Sequence, residues 1–144
     1  MEPMLIAIFA AAICILMCSA SALLCIKTCG PALASVTSEK PELGSKLVIA
    51  IILGEALAIY GLLIAFMIIG RLPETETEAV KMFISGLTMG ITAFMAAIGI
   101  SICGPAMMTA AVEKSESFTT NILGLVLSEA LAIYGLLISF MIIG

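Results

Sequence analysis

Apolar residues in this chain run in four long blocks and do not alternate with polar ones. Residues 3–26, 47–70, 82–112 and 117–144 hold no charged side chain except Glu55 and Glu129. A helix rises about 1.5 Å per residue, so about 20 apolar residues cross the hydrocarbon of a bilayer. Each block is long enough, and the pattern predicts an all-α membrane protein with helices over about 3–35, 46–70, 81–111 and 118–144. The short alternating strands of a membrane barrel are absent. The first block reads as a span and not as a cleaved leader, because acidic Glu2 stands where a leader is basic and the apolar run is too long.

The blocks are copies of one another in pairs. Sliding the sequence by 74 residues, the separation of Glu55 and Glu129, lays EALAIYGLLIAFMIIG from Glu55 onto EALAIYGLLISFMIIG from Glu129, with only Ala65 and Ser139 different. The same shift pairs Cys29-Gly30-Pro31-Ala32 with Cys103-Gly104-Pro105-Ala106 and Glu39-Lys40 with Glu113-Lys114. The repeating unit is therefore a two-helix hairpin: 1–70 is the first, 81–144 the second, and 71–80 a short exposed connector. Two spans per unit give both copies one orientation, about an axis along the membrane normal, and set both glutamates at one depth.

Lys27, Lys40, Lys46 and Lys114 flank the hairpin loops, against Arg71 and Lys81 at the connector. The positive-inside bias then puts the loops in the cytoplasm and the termini outside. The polar loops, Thr37 to Lys46 and Glu113 to Ser117, are candidate docking surfaces there. Pro31 and Pro105 fall near the cytoplasmic ends of the first and third spans, where a proline either ends a helix or kinks it.

Composition narrows the function. The 144 residues are 62% hydrophobic and 11% charged, with a mean hydropathy of +1.29, outside the range of soluble domains. The net charge of -4, the lack of histidine and the lack of a Gly-rich phosphate loop argue against nucleic-acid and nucleotide binding. The five cysteines, Cys14, Cys18, Cys25, Cys29 and Cys103, all fall in predicted helices, which argues against a disulfide framework. The first four share a stripe with Ala22, and the repeat mates are Thr88, Thr92, Ala96, Gly99 and Cys103. Size is kept while chemistry changes, as a packing seam requires and a metal or redox site does not. Ala50, Gly54, Ala58, Gly61 and Ala65 form a matching stripe on the second span, mirrored on the fourth by Gly124, Ser128, Ala132, Gly135 and Ser139. The helices of each hairpin are expected to meet along these seams.

The chemistry rests on Glu55 and Glu129, each expected to be buried. A charge deep in a bilayer costs on the order of 3 kcal/mol or more, so an intramembrane acid is a functional candidate by default. Hydrocarbon disfavours the ionised form, and such a group can take up and release a proton. The spans offer no Lys or Arg at that depth as a permanent partner, so a transient partner must come from outside the chain. Tyr60 and Tyr134, five residues beyond each glutamate, are the only tyrosines. They either hydrogen-bond the protonated carboxyl or simply pack, with the hydroxyl bonded elsewhere.

With the acids placed, the chain resembles the proteolipid subunit of V/A-type rotary ATPases, the ring-forming c/K rotor subunit, in its duplicated-hairpin form. The motif Glu55-Ala56-Leu57-Ala58-Ile59-Tyr60-Gly61 after the loop Lys40-Pro41-Glu42 carries the likeness, and the second hairpin has Ser115-Glu116 at the same step before Glu129. The resemblance implies a homo-oligomeric ring carrying ions on both glutamates. It also implies a stator membrane subunit supplying an arginine, a central-stalk subunit at the cytoplasmic loops, and nucleotide chemistry on another subunit of the ATP-hydrolysing or ATP-making complex. This chain would then be a non-catalytic proteolipid without a cofactor. Carboxylates in both halves suggest an archaeal or bacterial cell membrane. The sodium-carrying relatives have a glutamine on the first helix of the hairpin, where this sequence has Ile26 and Ile100, and the chain contains no glutamine. The pattern therefore favours H⁺ over Na⁺; a sodium-coupled chain would hold the metal ion at the same Glu55 and Glu129. The alternative is a small proton-coupled antiporter of the four-helix dimeric type, which would set a carboxylate in an aromatic-lined cavity.

Overall fold

The computed structural model describes residues 2–71 and 73–144. Met1, the connector residue Leu72 and the side chain of Ser115 lie outside the described set. Four helical spans form, each long and apolar enough to cross a membrane. They are α1 (Pro3–Glu39), the nearly continuous α2 (Gly44–Leu47) and α3 (Ile49–Ile69), α4 (Glu76–Glu113), and α5 (Phe118–Ile143). A 3-10 turn, Pro41–Leu43 or Ser115–Ser117, closes each hairpin.

The helix ends follow from local chemistry. Lys40 leaves the helical region at φ -134°, ψ 79°, as a residue before proline tends to, so α1 stops at Glu39, beyond the expected 35. α4 begins at Glu76, earlier than the expected 81, because Thr75 caps it. The Thr75 hydroxyl accepts from Glu78 N–H at 3.2 Å, and the Glu78 carboxylate accepts from Glu74 N–H at 2.8 Å. This is a capping box shifted by one residue. Pro31 and Pro105 end neither helix; both lie inside, in α1 and α4.

α1 and α4 pack side by side and parallel, with α3 against α1 and α5 against α4. Cβ atoms placed on Gly86 and Gly90 would meet Ala10 and Met17 at 2.7–2.9 Å, so these glycines let two backbones approach. The seams expected within each hairpin are present. A Cβ on Gly54 would collide with Cys25, and one on Gly61 with Cys18. In the second hairpin the sizes are exchanged at one level: Gly99 sits on α4 against Ser128 of α5. Two basic side chains tie the hairpins together at their ends, each on the last carbonyls of a helix. Lys40 Nζ donates to Val112 O, and an Arg71 guanidinium N–H donates to Ile143 O, both at 2.5 Å.

Candidate functional site

The two glutamates occupy the same position of α3 and α5, yet their surroundings differ. Glu129 is 8% exposed and sits between the hairpins. The hydroxyl of Tyr60, on α3, donates to Glu129 Oε1 at 2.5 Å. Tyr60 stands five positions further along the repeat than Glu129, about 7–8 Å lower by helical rise. The phenol bridges this because helical side chains lean toward the N-terminus of their helix. The acid of one hairpin is thus held by the tyrosine of the other.

Glu55 lies within an apolar span as expected, but on the single chain it is exposed. The reason is geometric: Glu129 has α3 beside it, and Glu55 has no helix on the equivalent side. Tyr134, repeat mate of Tyr60, is likewise 61% exposed. Of the four predicted site residues the chain brings together Glu129 and Tyr60 and leaves Glu55 and Tyr134 open on its surface.

No Lys or Arg lies on α3 or α5. The nearest in level is Lys27 on α1, which corrects the expectation that no Lys or Arg lies at the depth of the glutamates. Gly54 is level with Cys25, so Lys27 lies within about one turn of Glu55 along the axis. Two residues past Cys25, it is rotated about 200° away from the α3 seam, and it is exposed. It faces away from the carboxylates.

The cysteines serve the seams. Cys14 Sγ points to Gly61 O, Cys25 Sγ to Ala97 O and Cys29 Sγ to Ile100 O, at 3.6–3.9 Å. Among the described residues no three His, Cys, Asp or Glu side chains gather as a metal site would need. One polar pair was hidden from sequence reasoning: Ser85 and Ser139 hydroxyls each donate to the other residue's carbonyl at 3.0 Å, fully buried.

Comparison with known proteins agrees with this architecture. The family pattern of the ATP synthase C subunit matches residues 4–68 and again 83–142, once per hairpin. The 16 kDa proteolipid subunit of the V-type proton ATPase of Nephrops norvegicus is 30% identical over 114 residues, covering 76% of this chain and 72% of its own length. The c' subunit of the V-type proton ATPase of Candida glabrata is 32% identical over 117 residues, covering 78% and 71%. The V-type proton ATPase proteolipid subunit of Dictyostelium discoideum is 33% identical over 107 residues, 72% of this chain and 55% of that protein. With the pattern present in both halves of a four-span bundle, the chain belongs to the ATP synthase C-subunit family, among the duplicated proteolipids of V-type ATPases.

Proposed function

We propose that this chain is a rotor-ring subunit of a V/A-type rotary ATPase or ATP synthase, carrying protons on Glu55 and Glu129 to couple ion flow to rotation. The observation that carries the reading is Glu129: an acid within an apolar span, nearly inaccessible, bonded to a neutral phenol and with no basic residue on its own helix or on α3. The partner is a neutral hydroxyl and not a lysine or arginine, so no permanent ion pair holds the acid.

In this mechanism a protonated glutamate is compatible with lipid, and it loses its proton where a stator arginine and a water path stabilise the carboxylate. One elementary charge moving through 100 mV yields about 2.3 kcal/mol, so several ions combine for each nucleotide turned over elsewhere in the complex. Two acids per chain give two steps per subunit. Nucleotide chemistry resides on another subunit, and this chain is non-catalytic. The lysine-bearing hairpin loops face the cytoplasm, where a central-stalk subunit docks, and the two carboxylates fit an archaeal or bacterial cell membrane. Sodium is disfavoured as cargo because, among the described residues, Tyr60 is the one side chain bonded to Glu129 and Na⁺ needs several oxygen ligands. The family match favours the rotor over the four-helix antiporter.

Glu55→Gln and Glu129→Gln test the reading. Each is expected to abolish ATP-driven transport while the ring still assembles, since glutamine keeps the shape and loses the titrating proton. Retained transport in both variants overturns it. Carbodiimide labelling of the two acids with and without millimolar Na⁺ tests the ion: unchanged labelling fits H⁺, and protection by Na⁺ overturns it.

A further inference from the structure

The face of α1 turned away from α3 changes chemistry at one level, and a lysine stands at the change. Phe9, Leu16 and Leu23 recur along this face at seven-residue steps, each more than half exposed. Lys27 follows about one turn later, and Pro31, Ala34 and Ser38 continue the line, all exposed. Large apolar side chains thus end at Lys27, where small and polar ones begin. On the neighbouring α4, Phe94 and Ile98 are exposed below the same level, and the repeat mate of Lys27 is Ser101.

Three observations mark this level as a polar boundary. Lys27 and Glu39 are the only charged residues of α1, and α4 has none between Lys81 and Glu113, so among the described residues neither helix sets a carboxylate beside the ammonium. Pro31 has no N–H for the carbonyl of Lys27, and Pro105 none for that of Ser101. Hydrocarbon does not tolerate backbone acceptors without a donor, so this level must meet polar groups. It is also not the boundary of the opposite face. Gly54 stands against Cys25, so Lys46, eight residues before Gly54, is level with Leu33, eight residues after Cys25. Lys46 therefore lies about 9 Å beyond Lys27 by helical rise, and within that interval α5 still exposes Leu123.

We infer that Lys27 is a headgroup site, its ammonium donating to the phosphate of an anionic phospholipid whose acyl chains lie along Phe9, Leu16 and Leu23. A lysine stem lies readily on apolar surface while its charge seeks the polar layer, and a basic residue at that layer attracts anionic lipid. The carbonyls left free by the two prolines select the rest of the headgroup. A glycerol headgroup brings O–H donors together with the phosphate charge, whereas choline brings no donor. The site goes beyond the carrier reading and requires only a chain that spans a bilayer.

The test is electron spin resonance of the full chain, in its assembled form, returned to vesicles of phosphatidylcholine with a minority of phosphatidylglycerol. A spin label near the end of one acyl chain reads the fraction of each lipid held against the protein. The native chain is expected to hold phosphatidylglycerol about two- to fivefold in preference to phosphatidylcholine. Lys27→Gln should remove most of that preference, and Lys27→Arg, of the same charge, should keep it and show that a variant at this position still assembles. Lys46→Gln, at the loop, should alter it little. A preference unchanged in Lys27→Gln, or lost equally in Lys46→Gln, overturns the site. No preference in the native chain also overturns it, the outcome expected where a second copy of the chain covers the face. Millimolar inorganic phosphate should leave the bound phosphatidylglycerol in place; displacement would assign Lys27 to a free anion and refute the lipid. Lipid binding and ATP-driven transport are read separately, so failure here leaves the carrier reading standing, and retained transport in Glu55→Gln and Glu129→Gln leaves this site standing.

Discussion

At the scale of single residues, differences between the repeats come in compensating pairs. Ala65 and Ser139 are the one difference in the long identical stretch, and Ser139 bonds reciprocally with Ser85, whose own mate is Ala11. The two buried hydroxyls therefore each find an acceptor on the facing helix. Each hydroxyl donates to a backbone carbonyl that alanine keeps, so Ser139→Ala and Ser85→Ala should each cost about 0.5–1.5 kcal/mol and the double about their sum. Thermal denaturation of the two singles and the double in detergent tests this additivity. The seam behaves likewise: Cys25 against Gly54 in one hairpin becomes Gly99 against Ser128 in the other. Gly54→Ser is expected to destabilise by about 1–3 kcal/mol through overpacking, and added Cys25→Gly to restore most of the loss. The same denaturation assay reads it. Sequence showed that these positions are small, but it did not show which side chain faces which.

At the scale of elements, the spans were legible because lipid forces backbone polar groups to bond within each segment, so length and hydropathy suffice to find a helix. Their ends were less legible, since hydropathy registers where charge begins and not where helical bonding stops. The connector illustrates this: its charged residues suggested a link, while Thr75 with Glu78 starts α4 inside it. The Thr75 to Glu78 spacing of the cap is present in the sequence, inside the charged stretch. Thr75→Ala should cost about 1 kcal/mol and speed amide hydrogen exchange over the first turn of α4, with the hairpin seams unchanged. Pro31 and Pro105 show the opposite limit, because local sequence allowed a stop or a kink and long packed helices carry both prolines in their interiors.

At the scale of the whole molecule, a nearly identical stretch, Glu55–Gly70 in one hairpin and Glu129–Gly144 in the other, lies in unequal surroundings. Glu129 is enclosed by its sister hairpin and Glu55 is open. The stretch from each glutamate through its tyrosine and the following glycine does not distinguish the two acids, being identical in both. The difference is positional: in any open row of repeats one end lacks a neighbour. Among the described residues Glu129 has a hairpin on that side and Glu55 has none.

The sequence alone determined the spans, the duplicated hairpin, the two acids and the small-residue seams, since each is set by local composition or by comparing the chain with itself. Only the tertiary structure decided that the tyrosine of one hairpin serves the acid of the other and that Glu55 stands exposed. The physical reason is that a hydrogen bond between distant helices depends on how two whole hairpins are docked. A repeat of 74 residues places both partners at every copy without saying which copy they reach.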